Sequence, residues 1–153
     1  MANTYTQIHI HFVFAVKYRN GFIKSEWKDA LYNYIAGIIR NNNHRLLAIN
    51  GMPDHIHILI GLRPDQSVSD LMKDVKQCSS LWINKNQLTP AHFEWQEGYG
   101  AFSYSKSQEE RVINYIKNQE VHHQKKTFRQ EYLDFLEKFG IEFEEKYSFY
   151  EPV

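Results

Sequence analysis

Two pairs of residues in this chain have types and spacings suited to chemistry on a phosphodiester. The first is His55 and His57 in Met52-Pro53-Asp54-His55-Ile56-His57-Ile58-Leu59-Ile60; the second is Tyr115 and Gln119 in Val112-Ile113-Asn114-Tyr115-Ile116-Lys117-Asn118-Gln119. Side chains alternate along a strand, so His55 and His57 share one face while Ile56, Ile58 and Ile60 take the other. Residues four apart share one face of a helix, so Tyr115 and Gln119 point the same way. Two imidazoles and a carboxamide oxygen can hold a divalent cation with coordination positions left open. Nitrogen and oxygen ligands suit Mn²⁺, whereas Mg²⁺ prefers oxygen but is abundant. A phenol beside that cation is a nucleophile placed to attack phosphorus. Taken singly, each pair has a plainer explanation: a polar strand face, and a helix packing a tyrosine and solvating a glutamine.

Other residues compete for these roles. His9-Ile10-His11 repeats the histidine spacing, as a polar face toward a ligand or as satisfied surface side chains. His122 and His123 raise a three-histidine zinc site, ranked below Gln119 because they lie almost two turns beyond Tyr115. Pro53-Asp54 favours the first choice: proline disfavours a helical residue before it, and the pair reads as a tight turn opening the histidine strand.

The elements that must position these residues follow from periodicity. Tyr5 to Val16 alternates as a strand with one buried face, carrying Ile8, Ile10, Phe12 and Phe14. Ser25 reads as the N-cap of a helix over 26–41, with Leu31, Tyr34, Ile35, Ile38 and Ile39 on one side. A short strand over 45–50 turns through 51–54 into the histidine strand. Ser67-Val68-Ser69-Asp70 opens a second helix with Leu71, Met72, Val75, Cys78 and Leu81 inward. Strand segments follow over 92–96 and 101–105. Ser107-Gln108-Glu109-Glu110 reads as a capping box for the tyrosine helix. A last helix over 128–139 ends at Gly140, and 141–150 looks strand-like and aromatic. The order is βαββαβ, an α+β ferredoxin-like sheet with an added C-terminal helix bearing the tyrosine. The whole of 1–153 reads as one domain, with a core over about 4–125 and a C-terminal helix and tail over 126–153.

Met-Pro-Asp-His-Ile-His-Ile-Leu resembles the signature of HUH endonucleases, and Tyr115 with Gln119 resembles the active helix of single-tyrosine HUH transposases, the enzymes of small hairpin-ended bacterial insertion sequences (the IS200-like family). Lys17-Tyr18-Arg19 and Trp95-Gln96-Glu97-Gly98-Tyr99-Gly100-Ala101-Phe102-Ser103 extend the match over roughly 4–125. The resemblance implies a transposase that cleaves and rejoins single-stranded DNA at hairpin-marked ends through a 5′-phosphotyrosine at Tyr115. It implies a Mg²⁺ or Mn²⁺ ion held by His55, His57 and Gln119. It also implies a homodimer in which the tyrosine helix of one subunit completes the histidine site of the other. Lys17, Arg19, Lys125 and Lys126 are the expected phosphate contacts, and Tyr18 or Trp95 could stack on bases.

Composition sets the remaining bounds. The 153 residues suit a domain with a genuine core. No apolar run reaches the length of a membrane span, no signal peptide is evident, and the single cysteine, Cys78, reads as a buried thiol in a cytoplasmic protein. Eighteen basic and eighteen acidic side chains cancel, which argues against a sequence-blind nucleic-acid coat. Lys125, Lys126 and Arg129 nevertheless form a local basic stretch able to steer a phosphate backbone. Two alternatives stay open: a passive RNA-recognition module, and a domesticated or inactive relative that only binds DNA or RNA hairpins.

Overall fold

The computed structural model describes residues 3–142. Four strands, β1 (His9–Ala15), β2 (Arg45–Met52), β3 (His55–Gly61) and β4 (Gly100–Tyr104), form an antiparallel sheet in the order β2-β3-β1-β4. Helix α1 (Lys28–Asn41) joins β1 to β2, and α2 (Val68–Lys85) joins β3 to β4. This is the expected βαββαβ order. Three helices follow: α3 (Glu109–Lys117), α4 (Gln119–His123) and α5 (Phe128–Lys138). Among the described residues no helix is long and apolar enough to cross a membrane.

The sheet has two unlike faces because alternation sorts its side chains. Phe12 and Phe14 lie opposite Ile58 and Ile56. They pack beneath α1 and α2 with Leu31, Ile35, Leu71 and Val75, and with Phe93 and Trp95 from the chain before β4. On the other face Val13 lies opposite His57 and Ala15 opposite His55. The sequence suggested that only one face of β1 is buried. Both are: His11, Val13 and Ala15 are sealed by α3 to α5. The histidine face is therefore an interior layer.

Local signals mostly hold, with shifts that have structural reasons. Ser67 caps α2 by accepting from the Asp70 amide. Ser25 does not cap α1; it lies in a preceding turn whose Lys24 carbonyl takes the amides of both Trp27 and Lys28. The capping box before α3 is Ser105 with Gln108, two residues early, because a short 3-10 turn (Lys106–Gln108) leads directly out of β4. Strand β2 runs on to Met52, because Asn50 and Met52 pair with His57 and His55, and only Pro53-Asp54 makes the turn. Helix α5 ends before Gly140, whose φ of 65° suits glycine. On α2, Leu81 is exposed and Cys78 only partly covered, so neither belongs to the inward stripe. Tyr34 also faces outward and stacks on Trp82. Of the aromatic segment 141–150, residues 143 onward lie outside the described residues.

The hairpin that presents the histidines tolerates no side chain at Gly51. A Cβ there would lie 2.2 Å from the His55 carbonyl oxygen and 3.0 Å from the Ile56 Cα, both backbone atoms that cannot rotate away. Gly51→Ala is expected to lower stability by at least about 1–3 kcal/mol, read as a lower urea midpoint. An unchanged midpoint would contradict the packing described.

Candidate metal and nucleophile site

Strand β3 carries His55 and His57 onto the inner face, where both are fully buried. Helix α3 lies across β2 and β3 through Val112 and Ile116, which pack on Ala48 and Leu59. Its C-terminal carbonyls would otherwise lack partners. Asn50 of β2 supplies them, donating from Nδ2 to the Ile116 and Lys117 oxygens at 3.0 and 3.1 Å. The helix breaks at Asn118 and resumes as α4. Tyr115, Gln119 and His123, spaced by four, all end up facing the histidines. Helix α5, capped by Thr127 accepting from the Gln130 amide, packs Phe128, Phe135 and Leu136 on Val13, Ala15 and Phe102. That apolar stripe contains one carboxylate, Glu131, only 3% exposed.

Glu131 organises the site. Its Oε1 lies 3.0 Å from His57 Nε2, 3.3 Å from His123 Nε2 and 3.5 Å from His55 Nε2. Its Oε2 accepts a hydrogen bond from the Tyr115 hydroxyl and another from Gln119 Nε2 at 3.3 Å. The Gln119 carboxamide oxygen lies 3.3 Å from His55 Nε2 and 3.1 Å from His123 Nε2. The far nitrogens of the two strand histidines are also held. His55 Nδ1 is 2.7 Å from an Asp54 carboxylate oxygen, and His57 Nδ1 is 2.8 Å from His11 Nε2.

Electrostatics follow from this enclosure. Burial would raise the Glu131 carboxyl, but hydrogen bonds from His123 and His57 and the histidines' charge outweigh it, leaving the group well below the usual carboxylate range. Tyr115 is pushed well above an ordinary phenol, first by burial and then by the charge of Glu131. Burial lowers His57, more than its hydrogen bond to Glu131 restores. Burial and then His57 depress His11 strongly. His123 is raised: burial pulls it down, but Glu131 pulls it up further.

The donor set fits a divalent cation. Imidazole nitrogens and amide or carboxylate oxygens converge, and the outer nitrogens of His55 and His57 have the partners that orient histidine ligands. If His57 Nε2 donates to Glu131, its Nδ1 accepts from His11 Nε2; in either tautomer the buried His11 Nδ1 has no partner among the described residues. A cation on His57 Nε2 requires the opposite tautomer, and the same contact supports it by reversing donor and acceptor.

The structure thus brings His55, His57, Tyr115 and Gln119 together. Lys125 and Lys126 line a cleft beside Asp54 and His123, with Lys126 paired to Asp134. Lys126 also borders a second cleft of about 280 Å³ with Arg111 and Lys138, at which Tyr115 and Glu131 are reached. Lys17 lines a different cleft, with Lys76 and Trp95, and pairs with Glu94. Arg19 falls in the turn Lys17–Arg19, and its side chain lies outside the described residues. Trp95 is a core residue, 7% exposed, with its indole donating to Ser79, and so presents little ring surface for a base to stack on. Of the competing histidines, His11 buttresses His57, whereas His9 turns away to Glu109. His122 packs on the Tyr115 ring, and His123 enters the cluster. His123, which its spacing ranks below Gln119, is reached by the same four-residue step that carries Tyr115 to Gln119, and it lies among the histidines. Glu131 has no counterpart among the sequence expectations; its signal is a carboxylate within the apolar stripe Phe128, Glu131, Phe135.

Residues 4–119 match the family model described as Transposase IS200 like. The ISDra2 transposase TnpA of Deinococcus radiodurans is 26% identical over 118 residues, covering 74% of this chain and 84% of that protein. The transposase for insertion sequence element IS200 of Salmonella typhimurium is 30% identical over 125 residues, covering 78% of this chain and 81% of that protein. A crystal structure from D. radiodurans, described as a transposase, superposes with a TM-score of 0.61 at 26% identity over 78% of this chain and 96% of that one. A REP-associated tyrosine transposase bound to a REP hairpin shares the fold, with a TM-score of 0.60 at 16% identity over 80% of this chain and 73% of that one.

Burial of His11 has a measurable consequence. In chelator, its imidazole should stay neutral well below pH 6.5 by NMR. A neutral buried ring contributes stability above the unfolded value of about 6.5, and that contribution is lost as pH falls toward the depressed folded value. A His11 midpoint near 6.5 in the folded protein would contradict the enclosure of this face.

Proposed function

The chain belongs to the IS200-like transposases, and from that premise we propose that it cleaves and rejoins single-stranded DNA near hairpins, with Tyr115 as nucleophile and His55, His57 and Gln119 as metal ligands. The observation that carries the reading is that one buried carboxylate, Glu131, touches both the Tyr115 hydroxyl and the inward nitrogens of the histidines. Nucleophile and ligands converge within a single chain.

His55, His57 and Gln119 would hold a divalent cation, Mg²⁺ or Mn²⁺, and its contribution when bound would be Lewis-acid polarisation of the scissile phosphate. The chain's own residues do the rest. The Tyr115 oxygen attacks phosphorus as the bond to the 3′ oxygen breaks, giving a 5′-phosphotyrosine and a 3′ hydroxyl. Burial and the charge of Glu131 hold the resting phenol protonated, so its proton must leave as the new bond forms. The hydrogen bond to Glu131 Oε2 orients the phenol, but a carboxyl held so far below its usual range does not keep the proton; the proton passes to solvent in the cleft at Tyr115, and the departing 3′ oxygen takes one up from solvent. Attack by that 3′ hydroxyl reverses the step, so rejoining needs no nucleotide cofactor. Arg111, Lys126 and Lys138 border the cleft at Tyr115 and suit a phosphate backbone. The REP hairpin bound by the fold relative supports hairpin DNA as the substrate class. A chain acting in this way works on DNA in the cytoplasm.

Sharing of active sites between two subunits, which the resemblance implies, would require α3 and α4 to leave their own sheet. Their anchorage by Asn50, and the 5.9 Å between the Tyr115 and His57 ring centroids, favour a tyrosine used by its own chain.

Tyr115→Phe removes only the hydroxyl, so folding and hairpin binding should persist while cleavage and the covalent adduct disappear. Denaturing gels with end-labelled hairpin DNA, followed by mass spectrometry of the adduct peptide, provide the test. An adduct on another tyrosine, or equal cleavage of the same sequence as duplex, would refute the proposal. Mixing Tyr115→Phe with His57→Ala should not restore cleavage; restoration would show that subunits exchange tyrosine helices.

A further inference from the structure

We propose that the metal centre of this chain is a three-histidine, one-carboxylate site, in which His123 of α4 and Glu131 of α5 join His55 and His57 as ligands and Gln119 serves as a fifth donor. The inference rests on the reading of His55 and His57 as metal ligands and adds two residues from the C-terminal helices.

The spacing of the donors supports it. The inward atoms of His55, His57, His123 and Glu131 all lie within 4.8 Å of one another. Contacts of 3.0, 3.3 and 3.5 Å from Glu131 Oε1 to the three Nε2 atoms match the edges of a coordination shell: bonds of about 2.1 Å give edges of about 3.0–3.6 Å around a five-coordinate ion. The Gln119 oxygen stands at similar distances, 3.1 and 3.3 Å, from two of the same nitrogens.

The hydrogen-bond inventory points the same way. His55 faces an oxygen at both ring nitrogens: Asp54 at Nδ1, and Gln119 with Glu131 at Nε2. A neutral imidazole carries one N–H. With the Nδ1 proton donated to Asp54, Nε2 is the nitrogen turned toward the Gln119 and Glu131 oxygens, and this is the tautomer in which it can bind a cation. Three imidazoles and a carboxylate select a transition ion of the Zn²⁺ or Mn²⁺ class over Mg²⁺, whose preferred ligands are oxygens and water.

The assignment also gives the second Glu131 oxygen a role. Oε1 faces the metal position while Oε2 holds the Tyr115 hydroxyl, so α5 couples occupancy of the centre to the setting of the nucleophile. Glu131 and His123 are then ligands supplied by the segment that covers the site, not bystanders beneath it.

The test is metal binding by the purified full chain, without DNA, measured by calorimetry with Mn²⁺ and Zn²⁺ and by the visible spectrum of the Co²⁺ form. One ion per chain should bind. Glu131→Gln, which keeps shape and removes charge, and His123→Ala should each weaken binding by about tenfold or more, since even outer partners of ligands cost about 10–100-fold. Each should also alter the Co²⁺ bands, and circular dichroism checks that the variants fold. Binding and spectra unchanged in both variants, but lost in His55→Ala, would overturn this proposal and leave the His55, His57 and Gln119 reading intact. No ion bound by the unaltered chain would overturn both.

Discussion

Glu131 is a carboxylate with almost no access to water, inserted into an apolar stripe between Phe128 and Phe135. An ionised carboxylate in such a place is costly unless paired and hydrogen-bonded. Here the compensation comes from three elements that line the inner face: His57 from β3, Tyr115 from α3, Gln119 and His123 from α4. Removing one partner from a buried charged cluster costs about 3–5 kcal/mol, so the cluster also dictates where the C-terminal helices sit. The same constraint that docks α5 gathers the chemistry.

The sheet divides labour between its faces. Beneath α1 and α2, phenylalanines and isoleucines make a conventional apolar core that fixes the strand register. That register fixes the histidines, because Ile56 and Ile58 cannot take the core without sending His55 and His57 to the opposite face. The opposite face surrounds a dense polar network with two smaller apolar clusters, held by Asn50 at the end of α3 and by Phe102 of β4 stacked on Phe135 of α5. Arg111, Lys126 and Lys138 border the cleft at Tyr115, and Lys125 and Lys126 border the one at Asp54, so on the proposed function a nucleic-acid backbone would meet cations at both.

Much of this was legible in the residues. Alternation in β1 and β3, the Pro53-Asp54 turn and the Ser67 cap are local signals, and local signals survive folding. Tyr115 and Gln119 needed only helical spacing, which the break at Asn118 does not spoil. What escaped was long-range. Nothing near His11 announces that it lies against His57, since that depends on β1 pairing with β3. Trp95 reads as a surface aromatic until its single bridge to Val16 draws it into the core. Glu131 was the largest omission: a helix-period count places it inward, yet charge is ordinarily assigned to the solvent face, and only tertiary packing shows what it meets.

The central claim is that the buried histidines and Glu131 surround a metal ion beside Tyr115. A crystal structure of the Mn²⁺-soaked chain, with anomalous data collected at the manganese edge, tests it directly. The account predicts one anomalous peak among His55 Nε2, His57 Nε2, His123 Nε2 and Glu131 Oε1. A peak at surface carboxylates alone, or none at saturating Mn²⁺, would contradict it.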